Sequence, residues 1–322
     1  MAQTKTKKQI KISWLLIAIL ALLLVLPSSI FTKLVALELS PFLLAALRSA
    51  IVSIVALPLI ISAFRKHRKM ILKKLPVIIT VSLIACISGP LHTMAIANSG
   101  ASFIEILNLS APIVFSVVSI LVVKDRLSRY AVAGLLMAIL GGVVIILLPL
   151  ILGNGTIAMF GWLPVAFQGF VIVASAVYTV YLRKVNESGI PLSALIGIGF
   201  VITFIVSTIL VFMVDGSSVF TQIGDLSLGG WAMVIYMAVV ISALARIISV
   251  KAYEHIGTAT FASLDYLYYF MAIVAPVFIL GEIVSWEMAV GAVLISVGIV
   301  LTRMHHKKAG GRHYTHLKGH HL

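Results

Sequence analysis

The sequence predicts an all-α integral membrane protein whose ten transmembrane helices form two inverted five-helix repeats. Three observations lead to this prediction: an apolar composition, ten long apolar segments and an internal repeat. Hydrophobic residues make up 61% of the 322 residues and charged residues only 11%, and the mean hydropathy is +1.16. Because soluble domains carry about 25% charged residues, water is not the main solvent of this chain.

Ten apolar segments, separated by turn-forming or charged residues, cover most of the chain. They fall at about 12–32, 41–64, 75–97, 101–123, 128–150, 160–182, 191–214, 229–250, 257–280 and 286–303. A helix that spans the hydrocarbon core needs roughly 20 mostly apolar residues. Segments of this length without alternating polarity favour helices, which satisfy their backbone hydrogen bonds internally.

The first apolar segment follows four lysines, an arrangement that also resembles the start of a signal peptide. We favour a retained helix, because no A-x-A-like cleavage site follows and cleavage would leave nine helices. The predicted organisation is a cytoplasmic N-terminal segment, two five-helix repeats and a basic, His-rich cytoplasmic tail. Their bounds are 1–11, 12–150, 160–303 and 304–322.

The positions of the basic residues predict the orientation in the membrane. With both termini in the cytoplasm, 22 of the 24 Lys and Arg residues fall in cytoplasmic segments, as the positive-inside rule requires. The sequence therefore predicts a multi-pass protein of the cell membrane with both termini cytoplasmic. It predicts no nucleic-acid partner, because the +14 net charge lies between apolar segments and not on one polar surface.

An internal repeat becomes visible when the sequence is compared with itself at a shift of 157 residues. Asn108 and Asp125 then match Asp265 and Glu282, and at a shift of 150 residues Lys33 matches Arg183. Further matches pair Ala95, Gly100, Val117, Ser128, Gly134 and Gly141 with Ala252, Gly257, Val274, Ser285, Gly291 and Gly298. Repeats of five helices must be inverted relative to each other, which is an architecture typical of secondary transporters.

The fourth and fifth apolar segments resemble the EamA-type members of the drug/metabolite transporter superfamily. The resemblance rests on Pro112 at a helix centre, Asp125 thirteen residues later, a Leu-Ser pair with spaced glycines, and the matching Gly281-Glu282 of the second half. Arg48 also resembles an arginine of that family. The resemblance covers about 35–150 and 160–303, and it implies a membrane transporter of small molecules.

Two departures from the family pattern caution against transferring a substrate. Lys124-Asp125 replaces the usual Gly-Glu, and Tyr269 occupies the position equivalent to Pro112.

Two carboxylates within apolar segments are the first candidates for substrate binding, because a charge in hydrocarbon costs at least a few kcal/mol and usually faces a cavity or a partner. Asp265 is about eight residues into the ninth segment, near 12 Å of helical rise, and desolvation favours its protonated form. It could therefore carry a coupling proton, or instead form a static ion pair with Arg48 or Arg246. Glu105 is one turn into its helix, so a cavity position and a solvated rim both remain open.

Other polar side chains complete the candidate site. Asn108 shares a helix face with Glu105, and tyrosines near Asp265 offer π-faces for cations, although such tyrosines also mark membrane interfaces. The predicted substrate-binding residues are Glu105, Asn108, Asp265, Tyr269, Tyr268, His92, Gln168 and Tyr178, with Pro112 and Pro276 as hinges. We interpret Arg48 mainly as structural.

The predicted function is secondary active transport of small organic metabolites (amino acids, amines or related compounds) by alternating access, with proton coupling as one option. Membrane lipid is the expected surrounding partner, and the oligomeric state stays open. No cofactor and no metal are expected: Cys86 is the single cysteine, and six of the nine histidines lie in the polar tail. The chain carries no H-E-x-x-H or G-x-S-x-G motif, so an enzyme is not expected. A translocator of a lipid or lipid-linked intermediate is the alternative.

Overall fold

The computed structural model describes residues 2–123, 129–152, 161–187, 192–245, 247–249, 251–252 and 258–309. Within these ranges all regular elements are helices. The first half contains α1 (Ala2–Val25), α2 (Ser28–Val35), α3 (Pro41–Cys86), α4 (Ser88–Ala97), α5 (Ala101–Asn108), α6 (Ala111–Val123) and α7 (Arg129–Leu152). The second half contains α8 (Leu163–Glu187), α9 (Leu192–Leu210), α10 (Gln222–Asp225), α11 (Leu228–Ile235), α12 (Thr258–Leu280) and α13 (Trp286–Ala309). Two π-helical segments extend α9 over Val211–Asp215 and α11 over Tyr236–Ala245, and a 3₁₀-helix forms at Ser217–Thr221.

Seven of the described helical stretches are long and apolar enough to cross a membrane. They are Ser13–Val35, Pro41–Pro58, Ile60–Ala97, Val132–Pro149, Leu163–Tyr181, Ala194–Asp215 and Leu228–Ser249. Three shorter apolar helices accompany them: Ala101–Phe115, Leu267–Leu280 and Trp286–Leu301. The predicted all-α, multi-pass membrane architecture is therefore confirmed, whereas the number of ten crossings stays a prediction.

The sequence predicts a connection between two helices in the basic segment 65–74, and two helical stretches meet there at a kink. The helical dihedral angles are interrupted within α3 at His67, where φ is −128° and ψ is 25°. Residues 65–74 contain no glycine or proline, and lysine, arginine, methionine and leucine favour helix. The chain therefore needs no long loop at this point.

Glycines allow α7 and α13 to approach each other at two places. A Cβ atom on Gly141 would lie 2.7 Å from the carbonyl oxygen of Gly291, and one on Gly298 would lie 2.5 Å from that of Gly134. Small residues at helix interfaces permit this approach in membrane proteins. Position 134 meets 298 and position 141 meets 291, so the two helices run antiparallel.

The same glycines are matched by the internal repeat, which pairs Gly134 with Gly291 and Gly141 with Gly298. Exchanging the two repeats therefore converts one interhelical contact into the other. Such reciprocity is the property of a contact about a two-fold axis. The packing of α7 against α13 thus fits the arrangement of two inverted repeats.

We expect Gly291→Ala to destabilise the protein. The added methyl group would lie 2.2 Å from Cγ1 of Ile145 and 2.7 Å from the carbonyl oxygen of Gly141, and overpacking of this kind costs about 1–3 kcal/mol. Gly142→Ala is the matched control, because no atom lies within 4 Å of the new Cβ. Thermal unfolding of the purified proteins checks the prediction, which fails if Gly291→Ala melts at or above the temperature of Gly142→Ala.

Charged side chains hold the junction between α4 and α5. The ammonium group of Lys33 donates to the carbonyl oxygens of Ile96 at 3.3 Å, Ala97 at 2.9 Å and Ser99 at 2.5 Å. Ile96 and Ala97 are the last residues of α4 and Ser99 follows its C-cap residue, Asn98, and a cation is favoured at a helix C-terminus. Lys33 therefore acts as a C-terminal cap for α4.

Glu282 acts on the other side of the same junction. Its two carboxylate oxygens each accept a hydrogen bond at 2.7 Å, one from the backbone N–H of Ala101 and one from that of Ser102. These groups begin α5, where a negative charge is favoured. Gly281 precedes Glu282 with a φ of 66°, the left-handed conformation that commonly follows a helix C-terminus, here that of α12. The first residues of α5 are thus held by an acid from the second repeat.

Candidate substrate site

A cavity of about 390 Å³ lies among helices of both halves. Its walls come from α3, α4, α8 and α9, together with Asn108 at the end of α5 and Ser242 of the π-helical segment. The polar lining comprises Arg48, Ser49, Ser82, Ser88, His92, Thr93, Asn108, Tyr178, Thr203 and Ser242. Valine, isoleucine, phenylalanine, alanine and glycine residues complete the wall. The cavity therefore offers hydrogen-bonding groups and apolar surface to the same occupant.

A chain of hydrogen bonds leads from the cavity wall to a buried acid. His92 Nδ1 lies 2.9 Å from Oε1 of Gln168, the amide of Gln168 donates to Oδ1 of Asn108, and Nδ2 of Asn108 donates to Oε2 of Glu105 at 3.2 Å. Because Oε1 of Gln168 can only accept, Nδ1 of His92 carries a proton in this arrangement. His92 and Asn108 line the cavity, whereas Gln168 is 0% and Glu105 4% exposed. Four of the predicted site residues thus form one network.

A helix break positions Asn108 at the cavity. The fourth apolar segment is divided into α5, which ends at Asn108, and α6, which begins at Ala111. Pro112 lacks an N–H and its ring clashes with the carbonyl four residues earlier, which is that of Asn108. The interruption at Leu109 and Ser110 is closed by hydrogen bonds to carbonyls three residues back. By contrast, α12 continues without interruption across Pro276.

Arg48 lies in the cavity wall and is hydrogen-bonded to a residue of the second half. Its Nε and Nη2 donate to Oγ of Ser242 at 3.2 and 3.0 Å. The Ser242 hydroxyl in turn donates to the carbonyl oxygen of Met237 at 2.9 Å, five residues earlier in the π-helical segment. The wide π-helical turn therefore fixes the hydroxyl that faces Arg48.

The predicted tyrosines lie in three different surroundings. Tyr178 lines the cavity, whereas Tyr268 lines a small apolar pocket beside α1. Tyr269 packs against the cluster of buried side chains that includes Phe103 and Ile295. The rings of Tyr268 and Tyr269 meet edge to face with centroids 5.6 Å apart.

Asp265 belongs to α12 by its backbone, but its side chain lies outside the described residues, as does Arg246, one of its two predicted ion-pair partners. Several polar residues of the cavity wall were not predicted from the sequence, among them Ser82 and Ser242. An isolated serine in an apolar segment gives no signal that distinguishes a cavity position from helix packing.

We expect Gln168→Leu to lower stability by breaking the chain at its centre. The substitution leaves Nδ1 of His92 and Oδ1 of Asn108 without their observed partner, and each buried polar group so orphaned costs about 1–3 kcal/mol. Thr179→Val is the matched control on α8, because Thr179 is exposed and bonds only to the nearby carbonyl of Ser175. Thermal unfolding of both variants measures the effect. Equal melting temperatures would contradict a stabilising role for the chain.

The long apolar helices and the polar cavity between them define the chain as a multi-pass membrane protein. A family model described as the EamA-like transporter family matches residues 12–147 and 165–304. The chain belongs to this family, as the sequence resemblance implied. The two matches correspond to the two halves of the sequence, and the family is one of membrane transporters of small solutes.

A comparison with solved structures supports the same fold. One structure, titled "Crystal structure of protein", aligns over 92% of this chain and 98% of its own length, with a TM-score of 0.61 and 19% identity. At this identity the likeness concerns the fold alone. No curated protein matches the chain.

Proposed function

We propose that the protein is a secondary active transporter that moves small organic metabolites by alternating access. The observation that carries the proposal is the position of the cavity between the two repeats. Arg48, His92 and Asn108 come from the first repeat and Tyr178 and Ser242 from the second. Substrate sites of transporters with inverted repeats lie at such an interface, and the volume falls within the range of about 300–1,000 Å³ typical of small-molecule sites.

The reciprocal glycine contact between α7 and α13 supports the alternating-access mechanism. Exchanging the repeats turns the contact between Gly134 and Gly298 into the contact between Gly141 and Gly291, so the pair of contacts is unchanged. Such a pair is compatible with two equivalent conformations of the protein, one open to each side of the membrane. Amino acids, amines and related compounds are the substrate classes that we consider. Asp265 is the proposed site of proton coupling, and Glu105 is the next candidate.

The proposed orientation places both termini and the segment 65–74 in the cytoplasm of the cell. We expect a cysteine at Lys69 to resist an impermeant maleimide in intact cells and to react after permeabilisation. A cysteine at Ser218 should react in intact cells, since the same orientation puts it outside. Both residues are exposed, and the native Cys86 is buried. Labelling of the Lys69→Cys protein in intact cells would reject the orientation.

We expect Asp265→Asn to abolish gradient-driven transport while the protein remains folded. The substitution preserves shape and removes the charge, and neutralising a buried acid removes a desolvation cost. If Asp265 instead forms a static ion pair, Asp265→Asn should destabilise the protein, because the basic partner is left buried without its counter-charge, which costs about 3–5 kcal/mol.

The test begins with a thermal-stabilisation screen of the purified protein against amino acids, amines, nucleosides and cationic drugs. Flux of a stabilising compound into proteoliposomes is then compared between the wild type, Asp265→Asn and Glu105→Gln. Unchanged flux through folded Asp265→Asn would exclude both the coupling and the substrate role of Asp265. Absence of flux of every stabilising compound through the wild type would reject the transport proposal itself.

A further inference from the structure

The guanidinium group of Arg48 is the cation of the cavity wall. An arginine side chain carries five N–H donors in a planar fork. The two hydrogen bonds described for Arg48 both end on the Ser242 hydroxyl, which is neutral. Among the described residues, no acidic side chain is hydrogen-bonded to Arg48. Because a cation in a membrane interior is costly without a negative partner, this part of the wall favours an anionic occupant.

Two hydroxyl groups of residues in the same wall lack a hydrogen-bond partner among the described residues. The Oγ atoms of Ser82 and Ser88 are buried and have no hydrogen-bond partner in the part of the chain that the structure describes, and both residues line the cavity with Arg48. Ser82 is 1% exposed. Buried polar atoms are almost always hydrogen-bonded. Because neither oxygen is exposed to the cavity, each hydroxyl would reach an occupant only after its side chain rotates about χ1.

The other side chains of the described cavity wall favour an anionic occupant over a cationic one. Among the described residues that line the cavity, none is acidic, and the carboxylate of Glu105 lies behind Asn108, to which it is hydrogen-bonded. Tyr178 and Phe200 add aromatic surface. The described wall thus matches an organic molecule with an anionic end and an apolar body.

We propose that Arg48 binds the carboxylate of the transported substrate, with the hydroxyls of the cavity wall as further donors. This inference rests on the proposed transport function and narrows its substrate class to organic acids and amino acids. It excludes amines that lack a carboxylate. A guanidinium binds a carboxylate through two parallel hydrogen bonds, which makes Arg48 a specificity-determining residue.

The first test compares matched compounds on the full-length wild type in detergent. L-phenylalanine and 3-phenylpropionate carry a carboxylate, whereas L-phenylalaninamide and phenethylamine do not. We expect the two carboxylates to raise the melting temperature at up to ~10 mM, since a ligand that binds the folded state stabilises it, and we expect the other two to leave it unchanged. Equal stabilisation by phenylalanine and phenylalaninamide overturns the inference. So does the absence of stabilisation by both carboxylates, which is the result expected if the carboxylate of Asp265 permanently occupies Arg48.

The second test compares variants. Arg48→Gln should abolish the carboxylate-dependent shift, and Arg48→Lys should weaken binding about tenfold or more, because an ammonium group cannot form the bidentate pair. Arg65→Gln is the matched control, since Arg65 is exposed on the same helix. Unaltered carboxylate binding by Arg48→Lys or by folded Arg48→Gln overturns the inference. If Arg48→Gln does not fold, the inference is still tested by Arg48→Lys and by the comparison of the four compounds on the wild type.

Flux separates this inference from the proposed function. A carboxylate that binds through Arg48 but does not cross proteoliposomes rejects transport and leaves the binding site intact. Transport of phenethylamine, equal in wild type and Arg48→Lys, rejects the inference and leaves the transporter intact.

Discussion

Polar groups inside this protein have no bulk water as an alternative partner, and this constraint determines where each of them lies. In hydrocarbon an unsatisfied N–H or C=O costs several kcal/mol, so the backbone groups freed at each interruption of a helix need other hydrogen-bond partners. Lys33 supplies donors to the end of α4 and Glu282 supplies acceptors to the start of α5. The interruption after Asn108 is closed by short-range turns. Helices are therefore interrupted where a charged side chain or a local turn provides hydrogen-bond partners for the freed backbone groups, or where a proline removes an N–H.

The apolar pattern of the sequence was sufficient to predict the fold class, because long hydrophobic segments have few stable alternatives to helices in a membrane. The glycines at positions 134, 141, 291 and 298 also carried usable information. Because these glycines match between the two repeats, α7 and α13 were expected to occupy equivalent positions. The reciprocal contacts between the two helices agree with that expectation. What the sequence did not predict was that the connection within 65–74 is a kink at His67 between two helical stretches and not a loop, since basic residues mark the membrane boundary without specifying how the backbone turns there.

The candidate site was less predictable, because the role of a polar side chain depends on which helix faces it. Arg48 was assigned to structure since one arginine in an apolar segment has several possible partners, and only the fold brings it beside Ser242. Gln168 and His92 were recognised as polar outliers, but their link to Glu105 required the packing of α8 against α4 and α5. Tyr268 and Tyr269 lie near each other in sequence and in space, yet they contact different parts of the protein.

The polar contacts that cross between the two repeats bear directly on transport. Arg48 of the first repeat is bonded to Ser242 of the second, and the amide of Gln168 bridges two residues of the first repeat. A rocking motion of one repeat against the other must break such contacts or carry them along. Breaking one without replacement costs about 1–3 kcal/mol, and more where a charge is involved. A substrate carboxylate on Arg48 would replace the Ser242 hydroxyl as acceptor and so offset that cost. Binding of substrate in the cavity would then favour breaking the contact between Arg48 and Ser242, and breaking that contact would favour binding. A transporter that changes conformation only with substrate bound requires such coupling.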